Sequence, residues 1–349
     1  MYLLFDALWN KGEQAWIGIS RIVKERVPYP VITSGEAQEC YLDPDDAREG
    51  VQVTCVDLTS LLNWTERDGN LSLLTPLLLV RGEYTELDKY LESSSEHVLL
   101  LGQPGIGKTV YLTYCLLRRL IAGLPTIFAK SPVNRYVFLD SGVYWIPKNS
   151  FVLSRSPPFT DRVKNALVLF DLNEQHPSPE QFRHWRVLAS SSPQSRRFKE
   201  WVKHAKAQYW VMSTWSWEEI YLAWKTTTNE FSLEDLFNSF GKYGGTARNL
   251  LSRPREKIEW DIRFGITNCP DLGRLLQTSS GLPDDTSHAL MLIDPLADGT
   301  GVLQRGKYEG RIASQHIRDQ ILNRKLANDM RDKMFLQFNT TRAAAGLQF

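Results

Sequence analysis

Residues 98–109, reading Val98-Leu-Leu-Leu-Gly-Gln-Pro-Gly-Ile-Gly-Lys-Thr109, restrict the possible folds of this chain more than any other stretch. Val98 to Leu101 are wholly apolar, which suits a strand buried on both faces of a parallel sheet. Gly102 to Thr109 then match G-x-x-x-x-G-K-[ST] at every fixed position. Gly102, Gly105 and Gly107 permit a tight turn and bring bare N–H groups toward an anion. Lys108 adds a point charge, and Thr109 adds a hydroxyl of the kind that ligates Mg²⁺. From Lys108 to Ala122 the pattern is helical, with Val110, Tyr114, Leu117 and Ile121 on one face and Gly123 as the stop. A helix starting there directs its positive end at the same anion. Strand, loop and helix together predict a P-loop. Gly102, Gln103, Pro104, Gly105, Ile106, Gly107, Lys108, Thr109 and Val110 would surround the phosphates of a nucleotide.

The flanking pattern extends this reading. With 349 residues the chain can hold a large core and a second subdomain. Apolar runs at 126–128, 166–170, 185–189 and 209–212 read as further strands, with a hairpin over 136–146 and a basic helix over 195–206. Beyond Trp215 the pattern turns helical, at 216–224, 232–243, 246–252 and 256–267. The expected architecture is α/β: a P-loop NTPase with a parallel doubly wound sheet in 91–214, followed by a helical lid and C-terminal subdomain in 215–349. Residues 1–90 read as an adaptor segment, with helices expected near 5–9, 17–26, 59–64 and 86–91.

Other residues complete a candidate site. Ala166-Leu-Val-Leu-Phe-Asp171 is an apolar strand ending in an acid, the pattern that places a carboxylate near Mg²⁺ in P-loop enzymes. The next residue is Leu172, so Glu174 is the nearest candidate for polarising a water; it reads equally well as a solvated loop residue. Ser191, in the run Ser190-Ser-Ser-Pro193, stands at a strand end where a polar group could sense a terminal phosphate, and a Ser-Pro turn is the simpler reading. Arg248 follows Gly244-Gly245 and could reach phosphate from the helical subdomain or merely cap a helix. The catalytic candidates are therefore Lys108, Asp171 and Glu174, with Thr109 and Asp171 as metal ligands.

Composition excludes several alternatives. A net charge of +1 gives no global pull toward nucleic acid or a membrane. A basic span over 183–206 carries Trp185 and Trp201, with Trp210 beside it. Single-stranded nucleic acid is thus a possible partner, less favoured than a solvated helix face. Cys40, Cys55, Cys115 and Cys269 have no metal-ligand spacing and read as free thiols of an intracellular chain, cytoplasmic or nuclear. No signal peptide or apolar run of membrane-spanning length is evident.

The motifs 100–109, 167–171, 187–193, Trp215-Ser-Trp-Glu-Glu-Ile220 and Tyr243-Gly-Gly-Thr-Ala-Arg248 occur in an order similar to that of a known group. They resemble the P-loop ATPase core of retrotransposon-hot-spot and Crinkler-type proteins, related to STAND signalling ATPases. The later Ala313-Ser-Gln-His-Ile317 resembles a C-terminal element of that group. The resemblance implies that Lys108, Thr109 and Asp171 bind Mg-ATP and that Arg248 is a sensor in the lid. The expected function is Mg-ATP binding with slow hydrolysis as a conformational switch. The alternative is a nucleotide-gated module that binds protein or nucleic acid without significant turnover.

Overall fold

The computed structural model describes residues 1–31, 41–59, 77–133, 135–147, 163–173, 176, 178–193, 198–227, 231–277 and 288–346. Helices α1 (Tyr2–Leu8) and α2 (Glu13–Ile19) open the chain. Three antiparallel strands follow and pair in sequence order: β1 (Ser20–Val31), β2 (Tyr41–Asp57) and β3 (Leu77–Val80). β1 therefore replaces the helix expected over 17–26 from Ser20 onward. Val23, Glu25 and Val27 are more covered than Ile22, Lys24 and Arg26, a period of two, and Pro28 and Pro30 cannot lie inside a helix. The helix expected over 59–64 lies outside the described residues beyond Thr59.

α3 (Gly82–Ser93) leads into the main sheet. Its elements are β4 (Val98–Leu101), α4 (Lys108–Ile121), β5 (Thr126–Ala129), β6 (Arg135–Leu139), β7 (Gly142–Trp145), β8 (Leu167–Asp171), β9 (Arg186–Ser190), α5 (Lys199–Ala205) and β10 (Gln208–Val211). The lateral order is β10-β4-β9-β8-β5-β6-β7. The strands from β10 to β5 are parallel, whereas β6 and β7 form an antiparallel hairpin at one edge. The sheet is thus mixed, with five parallel strands and, at one edge, the hairpin expected over 136–146. Both faces are covered. Val98, Leu100, Phe128, Leu167, Leu169 and Leu188 pack in the core that contains α4. Leu99, Leu101, Ile127, Val168, Phe170 and Val187 pack in the opposite core, with Trp201 of α5. Continuing this alternation past the strand ends assigns Ser190, Asp171 and Lys130 to the α4 face.

Past β10 come α6 (Trp217–Thr226), α7 (Leu233–Tyr243), α8 (Ala247–Leu251), α9 (Arg255–Asn268) and α10 (Leu272–Gln277), as the helical reading expects. The hairpin β11 (Met291–Ala297) and β12 (Leu303–Ile312) is not helical, and it precedes the long α11 (Gln315–Gly346). Apolar Met291-Leu-Ile293 feeds one strand. The Asp298 carboxylate closes the turn by accepting from the N–H groups of Thr300 and Val302. The helical core includes Trp217, Ile220, Leu236 and Ile317, and also Val27 and Leu79 from the first sheet. The N-terminal strands therefore pack against the helical part, and the Trp217 indole donates to the Pro28 carbonyl at 2.8 Å. Among the described residues, no helix is long and apolar enough to cross a membrane.

The turn between α7 and α8 tests how tightly this subdomain is seated. Trp215 N–H donates to the Gly245 carbonyl at 2.8 Å, and a Cβ on Gly245 would stand 2.1 Å from the Trp215 carbonyl oxygen. Gly241, inside α7, faces open space. Gly245→Ala should therefore lower stability by at least about 2 kcal/mol. Gly241→Ala should raise it by up to about 1 kcal/mol, since it removes a helix-interior glycine. Urea midpoints of the two variants check both signs.

Candidate functional site

The loop between β4 and α4 is held open by its own backbone and clasped from outside. Gly102, Gly105 and Gly107 have φ of 150°, 88° and 102°, which side chains rarely tolerate. Gly105 also admits close packing, since a Cβ there would lie 2.7 Å from the Arg248 Cβ. Each carbonyl that turns outward finds a donor. Lys108 Nζ donates to the carbonyls of Gly102 (2.6 Å) and Gln103 (2.8 Å). Arg248 N–H donates to the Gly105 carbonyl at 3.2 Å. The Trp215 indole donates to Ile106 at 2.7 Å, and the Tyr84 hydroxyl to Gly107 at 3.0 Å. The N–H groups of Gly105 to Thr109 have no hydrogen-bond acceptor among the described residues. A row of unspent donors at the start of a 14-residue helix is an arrangement suited to an anion.

The remaining polar groups converge on Asp171. Thr109 donates to its Oδ2 at 3.1 Å, and Ser190 donates to its Oδ1 at 2.5 Å. A hydroxyl beside a carboxylate supplies hard oxygen donors, the kind that Mg²⁺ accepts. Burial pushes the Asp171 carboxyl up, while the hydroxyls of Ser190 and Thr109 and the charges of Lys108 and Lys130 oppose that. Burial also pushes Lys108 down to about 7, helped by the nearby Arg248 charge and opposed by Asp171. The Thr246 hydroxyl, beside Gly105, is buried and has no partner among the described residues.

Several candidates behave differently from their sequence reading. Gln103 turns its amide away from the loop and donates to the carbonyls of His288 (2.6 Å) and Met291 (3.0 Å). Only its backbone remains for a phosphate. Ile106 is fully buried, Pro104 is half-buried, and Val110 packs against the α4 core. Ser191 is buried, and its hydroxyl donates to the Ser192 carbonyl, so Ser190 is the serine that meets Asp171. Leu172 packs in the core opposite the loop. Glu174, Arg196 and Arg197 lie outside the described residues. Trp185, Trp201 and Trp210 are buried, which removes the aromatic half of a nucleic-acid platform over 183–206.

Arg81 is the site residue that sequence reading misses. Its side chain is fully buried between the loop and the helical subdomain. It donates to both Glu219 oxygens (2.9 and 2.8 Å) and to the carbonyls of Ile106, Ser213 and Thr214, and it lies 4.8 Å from the Trp215 ring centroid. Nothing local distinguishes it, because its partners are distant in sequence. No protein-family model matches the chain, and comparison with curated proteins finds no match.

The Arg81 network makes a stability prediction. Arg81→Met strips donors from three carbonyls and a carboxylate at once and should cost at least about 3 kcal/mol. Glu219→Gln keeps one acceptor and most of the packing, so about 1–2 kcal/mol is expected. Chemical denaturation of both variants should preserve that order.

Proposed function

We propose that this chain binds Mg-ATP through a Walker A P-loop at 102–109 and hydrolyses it slowly as a conformational switch. The observation that carries the reading is the division of loop 102–107. Its outward carbonyls are held by protein donors, while the N–H groups of Gly105 to Thr109 remain available to an anion. The donor set fits the nucleotide. Lys108 would meet the β- and γ-phosphates once drawn from the Gly102 and Gln103 carbonyls, and Thr109 and Asp171 would hold Mg²⁺. When bound, the ion supplies charge neutralisation at the β- and γ-oxygens. Ser190 orients the carboxylate of Asp171. Arg248, exposed at the start of α8 and bonded through its backbone to Gly105, would report the phosphate state to the helical subdomain. As part of the same proposal we assign the core to the group of retrotransposon-hot-spot and Crinkler-type ATPases.

One observation favours a second reading, a nucleotide-gated binding module without significant turnover. The residue after Asp171 is Leu172, buried in the opposite core, and it offers no base for an attacking water. Steady-state phosphate release at saturating Mg-ATP separates the two readings.

Lys108→Ala should weaken Mg-ATP binding at least tenfold, about 1.4 kcal/mol, because it deletes the charge built into the cradle. Calorimetry on the folded variant checks this, and unchanged affinity would retire the P-loop reading.

The depressed Lys108 adds a pH signature. A phosphate against Nζ favours the ammonium, so above pH of about 7 binding must take up a proton. Mg-ATP affinity should then fall by up to about tenfold per pH unit above that point. Calorimetry in buffers of different ionisation enthalpy should show uptake approaching one proton near about pH 8.5 and little near about pH 6.

A further inference from the structure

We propose that Lys130 contacts the terminal phosphate from the side opposite Lys108 and stabilises its charge during phosphoryl transfer; this rests on the Mg-ATP reading above. The argument starts from strand register. β5 pairs parallel with β8, and Ala129 stands opposite Phe170. The chain one residue further brings Lys130 and Asp171 side by side at the carboxyl end of the sheet. Phe128 packs in the core that contains α4, as does Leu169, whereas Ala129 and Phe170 pack in the other. Alternation therefore turns Lys130 toward the same face as Asp171, the face of α4 and the glycine loop. On β9, Leu188 packs on that face and Ala189 on the opposite one, which returns Ser190 to the α4 side.

The result is a row across adjacent strands: Gly102 after β4, Ser190 on β9, Asp171 on β8 and Lys130 after β5. Neighbouring strands lie about 4.8 Å apart, so the row spans roughly 14 Å from loop to lysine. A lysine stem covers roughly 6 Å of that, which brings its ammonium toward Asp171. Burial pushes half-buried Lys130 down and Asp171 up, and the charge of each group opposes the shift of the other. A triphosphate seated on the loop and running along this row has Lys108 at its near side and Lys130 beyond its last phosphorus. At that end negative charge gathers on the equatorial oxygens as the phosphoryl group transfers, and a fixed cation there stabilises the transition state more than bound nucleoside diphosphate.

That difference gives the experiment. Mg-ADP alone and Mg-ADP with aluminium fluoride, a mimic of the transferring phosphoryl group, are titrated into the full chain by calorimetry. Lys130→Met and Lys130→Gln remove the charge with different side chains, and Lys130→Arg retains it. We expect Mg-ADP affinity within about twofold of the parent in all three. Affinity for the fluoride complex should fall at least tenfold in the Met and Gln variants and recover most of that in the Arg variant. Fluoride-complex affinity unchanged in the neutral variants overturns the proposal, as does an equal loss of both ligands, which marks a structural role. If the folded parent binds neither ligand, the nucleotide reading itself has failed.

Discussion

Two donors, the indole of Trp215 and the guanidinium of Arg81, meet at the carbonyl of Ile106, and much of the architecture follows from that meeting. A peptide whose carbonyl is tied outward presents its N–H to the other side. Gly105 and Gly107 are tied in the same sense, by the backbone of Arg248 and by Tyr84. The loop conformation is thus set by tertiary packing, which bears the cost of ordering it. The three glycines are needed because the conformations involved have positive φ and leave no space for a Cβ.

The donors that set the loop come from three parts of the chain. Arg81 and Tyr84 flank the start of α3, Trp215 lies in the link between β10 and α6, and Arg248 belongs to the helical subdomain. Arg81 also grips Glu219, which in turn caps α6 by accepting from Ser216 N–H. Arg305 of β12 repeats the device, binding Glu83 and Glu86 of α3 and the Val211 carbonyl at the end of β10. The segment 211–215 is held from both sides by arginines, Arg81 buried and Arg305 half-buried. A movement of the helical subdomain would disturb the same carbonyls that shape the loop.

Legibility in the sequence followed the range of the interactions. The loop, Thr109 and Asp171 were readable because glycine spacing and an apolar strand ending in an acid are local signals. The helices from 217 to 268 were readable from periodicity. β1 was misread because weak amphipathic spacing over 17–26 outweighed Pro28 and Pro30, although those prolines exclude a helix running on. β11 and β12 had a signal in Met291-Leu-Ile293 and in the Asp298-Gly-Thr-Gly301 turn, but the helical surroundings hid it. Choosing Ser190 over Ser191 required only the alternation along β9. Arg81 could not be found that way, since its role exists only where β3, the loop and α6 come together. Nor can a surface role for Trp185, Trp201 and Trp210 be judged without knowing which faces their elements bury.

Electrostatics ties the site together. Lys108 and Asp171 are removed from bulk water, where a charge is costly unless countered. Asp171 is shared between Lys108 and Lys130, and Arg248 adds a like charge that disfavours the Lys108 ammonium. Burial is the main cause that lowers Lys108, the Arg248 charge adds to it, and Nζ donates to the Gly102 and Gln103 carbonyls. On the proposed reading, a multiply charged anion in the loop would oppose that shift. It would favour the ammonium of Lys108, draw Nζ from the Gly102 and Gln103 carbonyls, and give Arg248 an opposite charge to face. Because the backbone of Arg248 is bonded to Gly105, that attraction would act directly between the loop and the helical subdomain.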